Sequence, residues 1–168
     1  HVPIGRILVS SCKVAEYYNL KYVSSVAGDL CTDKYLFHQK LFCKGLRNAE
    51  VRLLKKGDLQ LNEYPTYYPV IIKPRFGSGS RAVKVIDDEN SLKVMLKEEA
   101  PYNEDMLVEQ AVQGIEYGVD GIITDSYLSI CLLREKIITN PPARQCVGYI
   151  QVAKKDSLYE SVGNYIKD

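Results

Sequence analysis

The chain has 168 residues and nearly balanced charge, with 22 Lys and Arg against 21 Asp and Glu. It carries no field of one sign, which excludes a general nucleic-acid binder or a polybasic membrane module, and 46% hydrophobic with 26% charged residues excludes a disordered chain. The length predicts one domain, or one and a fraction, with a core of its own, and the longest apolar runs, such as Val70-Ile71-Ile72, are far too short to span a bilayer.

The sequence opens on His1-Val2-Pro3-Ile4 without an initiator Met, as the middle of a longer protein or a tag remnant would. Residues 7–18 read as a weakly amphipathic helix, with Val9, Cys12 and Tyr17 on one side, followed by a loop to about Asp29. Thr32 or Asp33 caps a stronger helix from Lys34 to Lys44, in which Leu36, Phe37, Leu41 and Phe42 recur at near-helical spacing and Gly45 marks the end. His38 falls in that helix and reads as a surface or satisfied residue. A short strand at Val51–Leu54 and a turn at Lys55-Lys56-Gly57-Asp58 follow.

Pro69-Val70-Ile71-Ile72-Lys73-Pro74 is a strand bracketed by prolines. A polar loop, 75–81, leads to a returning strand, 82–86, with period-two alternation. Residues 87–89 cap a helix reaching about Glu99. Met106–Gln110 is another strand, and Gly114 a break. Residues 116–124 and 127–134 form a hairpin across Asp125-Ser126. A strand at 145–152 and a helix opened by Asp156 complete the chain. The expected class is α+β with largely antiparallel sheets.

Five cysteines stand at 12, 31, 43, 131 and 146, an odd number at wide spacings with no Cys-x-x-Cys pair. They predict neither a disulfide framework nor a zinc site, but reduced thiols, several of them buried. His1 and His38 are too few for a multi-histidine metal site. The start of the chain lacks the ordered parts of a secretory signal, and with free thiols this predicts a cytoplasmic protein.

The loop Gly77-Ser78-Gly79-Ser80-Arg81-Ala82 formally matches a dinucleotide fingerprint, but a strand rather than a helix follows, so no helix N-terminus holds the phosphates. It is not a P-loop, because no Gly-Lys-Ser/Thr follows. A Gly/Ser loop between two strands can close its amides over phosphate oxygens, or it can be a plain hairpin turn. Lys73 bears on the choice. It alternates with Val70 and Ile72 to the opposite face, next to the loop, where it suits a bound anion or serves as an edge-strand gatekeeper charge.

In order, four features resemble the ATP-grasp superfamily. They are Asp33-Lys34 with Gly45, the run from Tyr68 through Lys73-Pro74 to Gly77-Ser78-Gly79-Ser80, the segment Leu107-Val108-Glu109-Gln110-Ala111-Val112, and Gly114-Ile115-Glu116-Tyr117-Gly118-Val119-Asp120. Together they span about residues 33–124, and their wording is most similar to the carbamoyl-phosphate-synthase-like branch. The resemblance implies an ATP-grasp fold, two α+β subdomains gripping ATP. It implies that residues 1–30 end a preceding region and that 31–168 form a partial ATP-grasp domain. The small lobe with its glycine lid would occupy about 65–105, and the second lobe would start after 106.

The resemblance also implies roles. Lys34 and Lys73 contact ATP phosphates, Lys73 also near the adenine edge. Gly77, Ser78, Gly79 and Ser80 cover the β- and γ-phosphates. Glu109 accepts from the adenine amino group, the backbone of Gln110, Ala111 and Val112 lines the adenine edge, and Glu116 binds the ribose hydroxyls. Glu109 and Glu116 also have a plain reading as solvated strand charges, and Arg75, Arg81 and Arg144 read as phosphate ligands or, in preference, as surface residues. The family's Mg²⁺ ligands, a Glu or Asp and then Glu-x-Asn on later strands, are not found in the final segment. The expectation is a fragment of an ATP-dependent ligase that activates a small carboxylate as acyl-phosphate for an amine or ammonia, inactive alone. Mg²⁺ would be held by the full-length parent, and apolar surface made for missing strands would be exposed. The expected partners are ATP and the carboxylate, with no nucleic acid or membrane and a homo-oligomer possible. The alternatives are a non-catalytic interaction or regulatory module on the same fold, and an unrelated α+β domain.

Overall fold

The computed structural model describes residues 6–46, 49–58, 60–77, 82–98, 104–124, 127–140 and 145–167. The chain divides into two compact units, residues 1–112 and 113–168.

The first unit begins with three helices, α1 (Arg6–Tyr17), α2 (Ser25–Thr32) and α3 (Lys34–Cys43). The loop expected up to Asp29 is corrected here, since α2 starts at Ser25. Ser24 caps it by accepting from the Ala27 N–H at 3.2 Å, and Glu16 of α1 accepts from the Ser25 N–H at 2.7 Å. Gly28 lets α2 lie against α1, because a Cβ there would stand 2.9 Å from Cys12 Sγ. Asp33 caps α3 as expected, and Gly45 follows it.

Strands β1 (Val51–Leu54), β2 (Val70–Pro74), β3 (Lys84–Ile86) and β4 (Met106–Gln110) form an antiparallel sheet in the order β1-β4-β2-β3. Helix α4 (Glu89–Glu98) follows β3, and the Asp88 side chain accepts from the Ser91 N–H at its start. Alternation then sorts the sheet. Val70 and Ile72 of β2, with Met106 and Val108 of β4, turn one way and join Leu92, Met95 and Leu96 of α4 in the core. Ile71, Lys73, Leu107 and Glu109 turn the other way, with Ile71 opposite Glu109 and Lys73 opposite Leu107. Ile72 is 1% exposed, so Ile72→Ala should cost about 2–5 kcal/mol in urea unfolding, cavity cost included. A loss under about 0.5 kcal/mol would remove it from the core.

In the second unit, β5 (Tyr117–Thr124), β6 (Tyr127–Ile138) and β7 (Cys146–Gln151) form an antiparallel meander, followed by α5 (Ser157–Lys167). Strand β6 runs four residues beyond the expected Arg134, because its far end pairs with β7 rather than β5. The turn expected at Asp125-Ser126 lies outside the described residues. Leu133 is fully buried, and the Tyr159 hydroxyl of α5 donates to the Ile130 carbonyl at 3.3 Å.

The cysteine expectation holds in one respect and fails in another. All five thiols are free, but Cys12 alone is buried and the other four are exposed. Large apolar side chains are exposed in both units, among them Tyr17, Val26 and Phe42 in the first and Ile123 and Val147 in the second. No helix among the described residues is long and apolar enough to cross a membrane.

Candidate functional site

The site is built on the N-terminus of α3 and the ends of β2 and β4. Asp33 Oδ1 accepts from the N–H groups of Tyr35 at 3.0 Å and Leu36 at 3.1 Å, which satisfies two donors that the helix leaves open. The same carboxylate receives the Arg75 fork, Nε to Oδ1 at 2.9 Å and Nη2 to Oδ2 at 2.6 Å. Arg75 Nη1 also donates to Asp105 Oδ2 at 3.0 Å, and its guanidinium lies 5.2 Å from the centre of the Phe76 ring. Backbone bonds repeat the tie, from Lys34 N to Arg75 O at 3.3 Å and from Arg75 N to Asp105 O at 2.9 Å. Arg75 is thus a structural clamp between α3, β2 and the approach to β4. This corrects the surface reading.

Lys34, the next residue, turns its ammonium onto the start of the glycine loop. Nζ donates to the carbonyls of Gly77 at 2.8 Å and Pro74 at 3.1 Å, with Arg75 O at 3.5 Å. Burial, and then the Lys73 cation, hold this amine below the usual lysine range. Gly77 has φ +100, a backbone state that a side chain would strain. Ser78, Gly79, Ser80, Arg81 and Arg144 lie outside the described residues.

Lys73 sits on β2, which is flanked by β4 and β3, so the edge-strand reading is overturned. Its Nζ lies 2.5 Å from Glu109 Oε1 on the neighbouring strand, a diagonal pair on one face. Glu109 is buried at 8% exposure, which overturns its reading as a solvated strand charge. Its second oxygen, Oε2, faces His38 Nε2 at 3.1 Å. His38 stands four residues after Lys34, a spacing that places both on one face of α3. Of the two readings for His38, the satisfied one holds, and the missed signal was this spacing from Lys34.

Burial pushes the Glu109 carboxyl up, but the bonds and charges of His38 and Lys73 outweigh it and hold it below the usual range. Burial likewise opposes, and the Arg75 fork with the helix N–H groups overcomes, a similar rise at Asp33. A carboxyl held below its unfolded value stabilises the fold while ionised. That contribution is complete above the ordinary carboxylate range and is lost as pH falls through the folded values. Melting temperature should therefore stay level down to about pH 5 and fall steeply below about pH 4. Glu109→Gln should flatten that acid limb, and an unchanged limb would contradict the assignment.

The expected adenine edge is partly committed already. Gln110 N donates to Glu50 O at 3.0 Å and Ala111 N to Pro69 O at 3.1 Å, while Val112 is 65% exposed. Glu116 belongs to the second unit, where it is half-buried, its Oε2 3.6 Å from Lys136 Nζ. Two clefts of about 340 and 310 Å³ are lined by helical residues such as Val26, Leu36 and Cys43, and neither is lined by Lys73 or Glu109.

Residues 31–166 match the family model described as an ATP-grasp domain. The chain belongs to the ATP-grasp family. It is 29% identical over 122 residues to the vancomycin C-type resistance protein VanC1 of Enterococcus gallinarum, covering 68% of this chain and 35% of that protein. Its fold is similar to that of the L-amino acid ligase from Bacillus licheniformis, with a TM-score of 0.76, 18% identity, and coverage of 95% of this chain and 38% of that one. It is also similar to the D-alanine–D-alanine ligase from Bacillus anthracis complexed with ATP, with a TM-score of 0.66, 17% identity, and coverage of 94% and 53%. The chain thus spans about a third of the length of the curated relatives it matches. The likeness to solved structures shows the ATP-grasp fold, α+β with antiparallel sheets.

Among the described residues no three His, Cys, Asp or Glu side chains converge as an all-protein metal cluster would.

Proposed function

We propose that the chain is the ATP-gripping part of an ATP-dependent ligase that joins a carboxylate to an amine or ammonia. The observation that carries this reading is the joining of Lys73 and Glu109 on the central strands, with Lys34 at the mouth of the glycine loop. Glu109 presents an acceptor to the adenine amino group. The amides of Gln110 and Ala111 are spent on Glu50 and Pro69, so the donor for the adenine ring nitrogen falls to the Val112 N–H. Lys73 and Lys34 neutralise phosphate oxygens. For Lys34 this is an exchange, because its ammonium leaves the carbonyls of Pro74 and Gly77 to meet phosphate. Glycine and serine residues such as those at 77–80 suit the β- and γ-phosphates, and a carboxylate such as Glu116 suits the ribose hydroxyls, as the family resemblance implies.

In the reaction, a substrate carboxylate oxygen attacks the γ-phosphorus and ADP leaves. The amine then attacks the acyl carbon and phosphate leaves. Phosphoryl transfer asks the protein mainly for positioning and charge neutralisation, which is what two lysines and a lid supply. The names of the relatives favour amino acids as the joined substrates, and the Lys73-Pro74-Arg75 wording favours the carbamoyl-phosphate-synthase-like branch. An ATP-dependent ligase of this kind belongs in the cytoplasm.

Calorimetric titration of ATP into the chain should give saturable binding. A folded chain with no detectable binding would contradict the reading. Binding without carboxylate-stimulated turnover in the longer parent protein would favour the non-catalytic module instead.

A further inference from the structure

Each oxygen of Glu109 faces a different element: Lys73 of β2 donates to Oε1 at 2.5 Å, and His38 Nε2 of α3 stands 3.1 Å from Oε2 as an ion-pair contact out of hydrogen-bond alignment. The last torsion of a glutamate is soft, so one partner leaves the carboxylate plane free to turn and two define it. The setting is enclosed, with side-chain exposures of 13% for His38 and 10% for Glu109. The imidazole reaches this place because Asp33 and Arg75 pin the start of α3, and position 38 lies one turn beyond Lys34. The helix that brings Lys34 to the loop therefore also brings a second hold on Glu109.

We infer that His38 is a positioning residue of the nucleotide site, fixing the Glu109 carboxylate so that it accepts from a 6-amino purine and rejects a 6-keto purine. The inference rests on the reading of Glu109 as the adenine ligand. An ionised carboxylate only accepts hydrogen bonds, and a 6-keto purine would set a second acceptor against it. A site built around one buried polar contact discriminates strongly only while that contact is held in place. A carboxylate released on one side can turn away from the base, and the discrimination then falls. His38 turns Nε2 toward Oε2 at 3.1 Å, and a small turn of either side chain lets it donate, as both the imidazolium and one neutral tautomer can. A glutamine side chain can place an amide N–H near the same point, whereas Ala and Leu cannot donate.

The test is calorimetric titration of ATP and inosine triphosphate, which share their phosphates and differ at the 6-position and at N1 (an acceptor in adenine, an N–H in hypoxanthine), into the full chain. Wild type should prefer ATP by about 100-fold. His38→Ala should lower that ratio about tenfold, mainly through weaker ATP binding, and His38→Gln should restore most of it. His38→Leu, which fills the space without a donor, should behave like His38→Ala and serves if the smaller residue disturbs folding. A wild-type ratio in folded His38→Ala or His38→Leu overturns the inference, as does a His38→Gln variant no better than they are. The outcomes separate the two claims. A ratio unchanged in Glu109→Gln contradicts the adenine-ligand reading itself and the inference with it. A ratio lost in Glu109→Gln but kept in His38→Ala overturns only the role of His38.

Discussion

Lys73→Ala should weaken ATP binding by about 100-fold or more, because two interactions fail together. The lost ammonium would have met phosphate, and its removal leaves the buried Glu109 carboxylate short of one partner in front of an incoming polyanion. Glu109→Gln should be milder, about tenfold, since it removes one charge and keeps the shape. Lys73→Arg is not a conservative alternative, because a planar fork cannot occupy the place of a point ammonium 2.5 Å from Oε1. Calorimetry on folded variants checks the order. ATP binding unchanged in Lys73→Ala would remove Lys73 from the site.

The second large effect is expected away from the nucleotide itself. Arg75→Ala should destabilise the chain by about 2–4 kcal/mol in urea unfolding, because Asp33 and Asp105 both lose a charged partner. Asp33→Ala should cost a similar amount, as it strips the cap from α3 and one side of the Arg75 clamp in a single change. Asp33→Asn separates the two roles. Asn still caps a helix, so its cost reports mainly the lost ion pair. A double-mutant cycle between positions 33 and 75 should show coupling above about 1 kcal/mol. Independent, additive effects would contradict the clamp.

The strands were legible because alternation and proline punctuation are local signals. Val70-Ile71-Ile72-Lys73 showed its bracketing prolines and its odd charge within one short window, residues 82–86 showed their alternation, and Met106–Gln110 showed a short apolar run. Helix α2 was not legible from Ser25-Val26-Ala27-Gly28-Asp29. It is eight residues long with a glycine inside, and the reason for that glycine, the approach of Cys12, is a tertiary contact. Its one local signal was Ser24 as a cap. Arg75 was misread for a related reason. Its partners lie 42 and 30 positions away, and no periodicity links them. The roles of Lys34, Lys73 and Glu109 came from ordered motifs resembling a family. Their geometry came from the sheet, which sets β4 beside β2 and so turns Glu109 into a buried partner of Lys73.

The most direct test of the central claim asks where ATP sits on this chain. Amide hydrogen exchange followed by peptide mass spectrometry, with and without ATP, reads that position. The account predicts slowed exchange in peptides covering residues 73–82 and 107–112, with little change across α1 and α4. Slowing confined to the helical clefts lined by Val26 and Leu36, with residues 73–82 and 107–112 unchanged, would contradict it.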